Sequence, residues 1–196
     1  AQAMTHVILQ EFYEDNPSEM FINYAKQYSD MPFVIMLDKD DNGYKAGRFL
    51  RASDLGQDNK NGEWKPVIQD TISQQLVVPN GTMGQRWEED TKWNLKLETE
   101  DGTKINPALS MTEDEFELQT IQFPYFDSKG DGIFERVIPT KKITLANGEE
   151  VYIATVYDLM ASQYGIKRFN HELEATSYND VQSKYTPCLL YTSDAA

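Results

Sequence analysis

Two acidic stretches carry the residue types of a calcium-binding loop. Asp38 to Gly43 places oxygen-bearing side chains at the first, third and fifth positions and glycine at the sixth, as such loops require. The twelfth position is Phe49, where a bidentate glutamate is needed, and both flanking segments have the pattern of strands. In the second stretch, Asp127 to Gly132, Lys129 would lie among the ligands and Ile138 would close the loop. We therefore predict that both stretches are turns.

Residue types that serve in other metal or nucleophilic sites are sparse. Cys188 is the only cysteine, so the chain cannot form a disulfide or a cysteine metal cluster. His6 and His171 have no ligand-type residue at a suitable spacing, and a surface or capping role is expected for each. The sequence contains no glycine-rich phosphate loop and no nucleophile elbow. The sequence predicts no catalytic residue and no metal ligand.

Two arginines are the best candidates for a cofactor-binding or anion-binding role. Arg48 and Arg51 flank Phe49 and Leu50 at the end of a strand candidate. A guanidinium group matches the geometry of a phosphate or another oxyanion, so these side chains could face an anion or a cofactor phosphate. The alternative, which we favour, is that they form surface salt bridges.

The composition indicates a folded, acidic chain. Hydrophobic residues make up 40% of the 196 residues and aromatic residues 12%, which is enough apolar surface to form a core. The 18 basic and 32 acidic residues give a net charge of -14, so nucleic acid and anionic membrane surfaces are excluded as partners. The chain has no apolar run of about 18 residues, so direct membrane insertion is not expected.

The first 55 residues have the pattern of two helices followed by a strand and a hairpin. Apolar residues recur at helical spacing over residues 3 to 14, and a second helix is predicted up to Tyr28 with Asn16 as its N-cap. Phe33 to Leu37 is a continuous apolar run, typical of a strand covered on both faces. Tyr44 to Leu50 is expected to pair with it.

The remainder, up to residue 187, is predicted to be rich in strands and long loops. We expect short strands at Trp64 to Gln69 and Gln75 to Val78, a hairpin around Asn147 and Gly148, and a short helix from Val156 to Tyr164 closed by Gly165. The predicted fold class is therefore mixed α/β, with a helix, helix, strand and hairpin part at 1–55 and a β-rich part at 56–187.

Six groups of residues, in order along the chain, closely resemble the alpha subunit of respiratory nitrate reductase. They are Tyr28-Ser29-Asp30-Met31-Pro32 with Ala46 to Leu55, Val78 to Trp87, Lys92 to Leu95, Phe123 to Phe126, Thr155 to Leu159, and Ala175 to Val181 with Tyr185-Thr186-Pro187. Single motifs of this kind are weak, but their shared order across residues 1 to 187 is specific. The chain is identified as an internal fragment of this subunit, within the molybdopterin oxidoreductase (dimethyl sulfoxide reductase) superfamily.

The resemblance implies a large catalytic subunit that reduces nitrate to nitrite in anaerobic respiration. Its cofactors would be molybdenum held by two molybdopterin guanine dinucleotides and one iron-sulfur cluster. Electrons would come from quinol through an iron-sulfur beta subunit and a haem-containing membrane gamma subunit, at the cytoplasmic face of the cell membrane. The family's cofactor ligands lie upstream of Ala1, so the resemblance implies that this fragment is structural and inactive alone.

The resemblance stops at Pro187, where the family continues into a helix containing a tryptophan. Residues 188 to 196 instead resemble translated adapter or vector sequence and are expected to be a non-native tail. The alternative interpretation of the whole chain is a standalone acidic module that binds calcium or a partner, which predicts that calcium raises its melting temperature.

Overall fold

The N-terminal residues form two helices because their apolar side chains recur every three to four positions. The computed structural model describes residues 2–41, 43–57, 60–81, 96–124, 133–166 and 168. Helix α1 (Gln2–Leu9) continues as a π-helix (Gln10–Asp15), and α2 (Glu19–Tyr28) follows. The predicted N-cap is wrong, because Ser18 takes that position. Asn16 instead closes the π-helix, where its backbone N–H donates to the Glu11 carbonyl at 3.0 Å.

Seven strands, two 3-10 helices and one further α-helix follow in the described residues. They are β1 (Val34–Asp40), β2 (Gly43–Phe49), a 3-10 helix (Ala52–Leu55), β3 (Ile68–Gln69), β4 (Leu76–Val77), a 3-10 helix (Met111–Glu113), β5 (Glu117–Pro124), β6 (Ile133–Thr144), β7 (Glu150–Thr155) and α3 (Val156–Gln163). The described part of the chain is thus a mixture of helices and strands with a β-rich region, as predicted.

Five of the strands form a closed barrel in the order β1, β2, β5, β6, β7. β7 pairs back with β1 through Val34 opposite Thr155, which lies far along the chain. The pairing of β2 with β5 is parallel, and the other pairings in the barrel are antiparallel. β3 and β4 form a separate two-stranded sheet. The barrel therefore joins strands from both predicted parts, 1–55 and 56–187.

Strand β1 is covered on both faces, as its continuous apolar run predicts. Val34 and Met36 belong to a core cluster that includes Leu50, Val67 and Met111. Leu37, which points to the opposite face, belongs to a second cluster with Ile121, Phe123 and Ile138. Since neighbouring residues of a strand point to opposite faces, this one strand supplies two separate cores.

The other predicted hairpins and helices are also present. The long antiparallel pair of strands β5 and β6 was not predicted. β6 pairs with β5 in a register that includes Leu118 opposite Pro139. A proline inside a strand cannot donate a ladder hydrogen bond and normally argues against a strand. The strand predicted at Trp64 to Gln69 is also shorter than expected, because Trp64 belongs to a turn that includes Asn61 at a φ of 60°.

The two N-terminal helices pack against α3 and Leu109 through a third apolar cluster. Leu9 and Ala25 are 1% exposed and lie with Leu109, Tyr157 and Ala161, the last two from α3. His6 also connects α1 to the residue that follows α3, because its Nδ1 donates to the Tyr164 carbonyl at 2.6 Å. Among the described residues, the helices are all too short or too polar to cross a membrane.

Candidate functional site

A buried carboxylate at the start of α3 holds three parts of the chain together. The Asp158 side chain is fully buried and accepts hydrogen bonds from the Ser110 hydroxyl at 2.7 Å and the Met111 backbone N–H at 2.8 Å. Thr155 caps the helix, and its hydroxyl accepts from the Asp158 backbone N–H at 3.0 Å. These contacts fix the loop at Ser110 against the first turn of α3.

Arg168 supplies the positive charge that balances Asp158. Its Nη1 lies 2.6 Å from Oδ1 of Asp158, and the arginine side chain is only 3% exposed. The guanidinium also lies over the Tyr157 ring, with Cζ 5.2 Å from the ring centroid. Burial alone would lower the pKa of Arg168, but the nearby groups Asp158, Tyr157 and Glu14 together outweigh it and raise that pKa. The guanidinium therefore stays charged in the folded protein.

The same arginine reaches the N-terminal helices through Glu14. Its Nε lies 3.7 Å from Oε1 of Glu14, and the Tyr157 hydroxyl donates to the same oxygen at 2.7 Å. The Tyr13 ring packs on Tyr157 with centroids 4.5 Å apart. Burial, helped by nearby carboxylates, raises the pKa of the Tyr13 phenol well above its usual value. This network joins residues 143 positions apart and connects the N-terminal helices to α3 and Arg168.

A polar cleft of about 320 Å³ lies beside this network. Its lining includes carboxylates from Glu14 and Glu113 and cations from Lys26 and Arg168. Each of these groups already has a partner within the chain: Lys26 donates to Asn106 at 2.8 Å, and Glu113 accepts from the Leu109 backbone N–H at 3.0 Å. The charged groups that line the cleft, of both signs, therefore already bond to other residues of this chain.

Arg48 and Arg51, predicted from sequence as anion-facing candidates, lie together around one aspartate. The Arg48 guanidinium binds Asp54 through two contacts of 2.7 Å, and the Arg51 backbone N–H donates to Asp54 at 2.8 Å. The hydrogen bond from Arg48 is the main cause that lowers the pKa of Asp54. The Arg51 side chain donates to the Trp64 carbonyl at 2.8 Å. Arg48 is thus in the surface salt bridge that we favoured, and the anion-binding role stays a prediction.

The first acidic stretch lies at the predicted hairpin of β1 and β2, but the predicted turn is too long, because Asp38 to Asp40 are the last residues of β1 and Gly43 is the first of β2. There, Asp40 pairs with Lys45 at 3.3 Å. The second stretch, 127–132, and His171 lie outside the described residues. Across the described ranges, no group of three or more His, Cys, Asp or Glu side chains could hold a metal ion. No step of nitrate reduction is assigned to the described residues.

The buried network around Asp158 was missed from sequence. One local signal was available, because Thr155 and Asp158 have the spacing of an N-cap and a third helical residue. No local signal connects Asp158 to Ser110, which lies 48 positions away, or to Arg168, which follows the end of α3.

Buried polar contacts thus join the N-terminal helices, the loop at Ser110 and α3. The chain is 47% identical over 188 residues to the nitrate reductase alpha chain of Bacillus subtilis. It is 42% identical over 202 residues to the respiratory nitrate reductase 1 alpha chain of Escherichia coli, and 35% identical over 195 residues to a nitrate reductase alpha subunit of Mycobacterium tuberculosis. Each match covers 95% of this chain.

This similarity confirms the resemblance predicted from the motifs, and the chain is homologous to a segment of nitrate reductase alpha chains. It spans 15% of the length of the Bacillus subtilis protein and 16% of the Escherichia coli protein. No protein-family model matches the chain.

Proposed function

We propose that this chain is a structural segment of the catalytic alpha subunit of a quinol-linked respiratory nitrate reductase, and that the segment is inactive alone. The observation that carries the proposal is 47% identity to the Bacillus subtilis alpha chain, sustained over 95% of the chain. The buried network around Asp158 supports a scaffolding role, because its charged groups are used to join elements of this chain.

In this proposal the parent subunit reduces nitrate to nitrite at a molybdenum centre during anaerobic respiration. Molybdenum bound by two molybdopterin guanine dinucleotides would supply the oxygen-atom transfer, and an iron-sulfur cluster would pass electrons to it. An iron-sulfur beta subunit and a haem-containing gamma subunit would complete the complex at the cytoplasmic face of the membrane. All ligands of the metal centres would come from other parts of the parent subunit.

A segment exchange tests this role. Residues 1–187 of this chain replace the matching segment of the Bacillus subtilis nitrate reductase alpha chain, and nitrite production is measured in membranes with a reduced-dye electron donor. We expect the chimera to reduce nitrate and a deletion of the segment to abolish activity. The isolated chain should neither reduce nitrate nor retain molybdenum. A folded chimera that binds the cofactor but is inactive would contradict the proposal.

The alternative, a standalone calcium-binding or interaction module, makes a separate prediction. If Asp38 to Gly43 is only a hairpin turn, thermal unfolding curves of the chain with excess calcium and with a chelator should coincide. A calcium-dependent rise in melting temperature that is lost in Asp40→Asn would favour the alternative, because a ligand that binds only the folded state raises its stability.

A further inference from the structure

Each N-terminal helix exposes a row of large apolar side chains on one side. Along α1 and its π-helical continuation these are Met4, Ile8 and Phe12, which are 63%, 40% and 48% exposed. Along α2 they are Met20, Tyr24 and Tyr28, which are 81%, 62% and 49% exposed. We call the two rows together the apolar helix face.

The spacing of each row makes it a continuous stripe. Residues four positions apart lie one turn apart on the same side of a helix, so each row runs along its helix. Each helix also buries a different side, through Leu9 in α1 and Ala25 in α2. Each helix therefore has two apolar sides, and the cluster with α3 and Leu109 covers only one of them.

The exposed area of each row is larger than isolated surface residues account for. With about 200 Å² per large side chain, the exposed fractions leave on the order of 300 Å² accessible in the α1 row and on the order of 400 Å² in the α2 row. Single exposed hydrophobic residues are ordinary, but contiguous apolar patches of a few hundred Å² are often interaction sites. A stable interface takes about 800 Å² from each partner, so each row would supply about half of one side.

We infer that the apolar helix face packs against an apolar surface of the same alpha subunit, formed by polypeptide outside the segment described here. This inference rests on the proposed function. Relatives that match this chain are several times longer, since the chain spans 15–17% of their length. In a chain with a net charge of -14, six uncharged side chains in two rows fit an apolar partner surface better than a charged one.

Cysteine labelling of two adjacent positions tests the inference. Met20→Cys lies in the apolar helix face, whereas Glu19→Cys is exposed on another side of α2 and is the matched control. Both isolated variants carry Cys188→Ser, so that each isolated chain has a single thiol. The chimera contains only residues 1–187 of this chain, and the chimera without an introduced cysteine gives the background labelling from any cysteines of the Bacillus subtilis alpha chain. A polymer-linked maleimide is applied to the isolated chain and to the Bacillus subtilis chimera, and the modification rate is read from the shift in gel mobility.

We expect the thiol at position 20 to react at least about tenfold more slowly in the chimera than in the isolated chain, because labelling then requires local opening. The thiol at position 19 should react at similar rates in both. If position 20 reacts equally fast in a chimera that reduces nitrate, the inference is overturned and the proposed function stands. Protection of position 20 in the isolated chain would overturn it in favour of a second copy. A chimera that yields no soluble subunit would overturn both.

Discussion

Replacing Arg168 with methionine should be among the most destabilising single substitutions in the described part of the chain. The change keeps much of the apolar stem but removes the charge 2.6 Å from Asp158. Asp158 is fully buried, so its carboxylate would lose its ion pair at a position that water does not reach. It would keep the hydrogen bonds from Ser110 and Met111, which only partly compensate.

The magnitude follows from burial of the two partners. Removing one partner of a buried ion pair typically costs about 3–5 kcal/mol, because the remaining charge is left uncompensated. A domain is stable by only about 5–15 kcal/mol, so Arg168→Met should remove a large fraction of the free energy of unfolding. Removing the other charge too, in Arg168→Met/Asp158→Asn, should recover part of the loss, with a coupling of roughly 1–3 kcal/mol.

Arg48→Met is the matched control for this experiment. Arg48 also contacts an aspartate, Asp54, at 2.7 Å, but its side chain is 57% exposed. Solvent screens that pair, and exposed ion pairs are worth about 0–1 kcal/mol. The same chemical change in the same type of pair therefore separates the effect of burial from the effect of the contact.

Urea unfolding read by pulse proteolysis at low protein concentration would measure these three variants and the single variant Asp158→Asn. The expected order of stability is wild type, then Arg48→Met close to it, then the double variant, then Arg168→Met. Equal losses for Arg48→Met and Arg168→Met would refute the reasoning. So would a double variant whose loss equals or exceeds the sum of the losses in Arg168→Met and Asp158→Asn, because removing the second charge would then recover nothing.

Three further predictions concern other buried groups. Gln69 is 1% exposed and its side-chain amide has no partner among the described residues, so Gln69→Leu should stabilise the fold by about 1–3 kcal/mol in urea unfolding. Burial opposes ionisation of Asp70, but hydrogen bonds from Ser73, Asn106 and Ile72 outweigh it and lower its pKa. The ionised Asp70 carboxylate therefore stabilises the fold above about pH 3.9, and this contribution is lost as the pH falls through the lower pKa of the folded state. In Asp70→Asn, the free energy of unfolding should fall less steeply at acidic pH than in the wild type. A Cβ at Gly47 would lie 2.7 Å from the Met36 carbonyl oxygen, so Gly47→Ala should lower the melting temperature, at a cost of about 1–3 kcal/mol.

Each of these predictions has its own check. Gln69→Glu should destabilise the fold, and a gain there would show that the amide position is open to water. An acid limb that is as steep in Asp70→Asn as in the wild type would contradict the assigned pKa. Adding Asp38→Ala to Gly47→Ala should recover little stability, because the contact with the Met36 backbone remains.

Local structure was largely predictable from the sequence. The hairpin of β6 and β7 follows from Asn147 and Gly148, because glycine at a positive φ, here 86°, suits a tight turn. Helix α3 follows from the Thr155 cap and from Gly165, which closes it at a φ of 67°. The order of the family motifs likewise identified the nitrate reductase resemblance that the relatives confirm.

The barrel and the site were not predictable in the same way. The first part of strand β6 was not predicted, and its pairing with β5 places Pro139 opposite Leu118. Closure of the barrel requires β1 to meet β7 and β2 to meet β5, where Tyr44 lies opposite Ile121. No turn motif links these strands, so a local pattern does not indicate their pairing.

The sequence by itself determined the short-range features of this protein: its turns, its helices, its apolar strand β1 and its kinship to nitrate reductase alpha chains. These features depend on the spacing of side chains over a few neighbouring residues, so they can be recognised without the tertiary structure. Only the tertiary structure decided that Asp158, Arg168 and Glu14 form one buried network. A buried charge is tolerated when an opposite charge is packed beside it, and here that depends on how the N-terminal helices, the loop at Ser110 and α3 pack together.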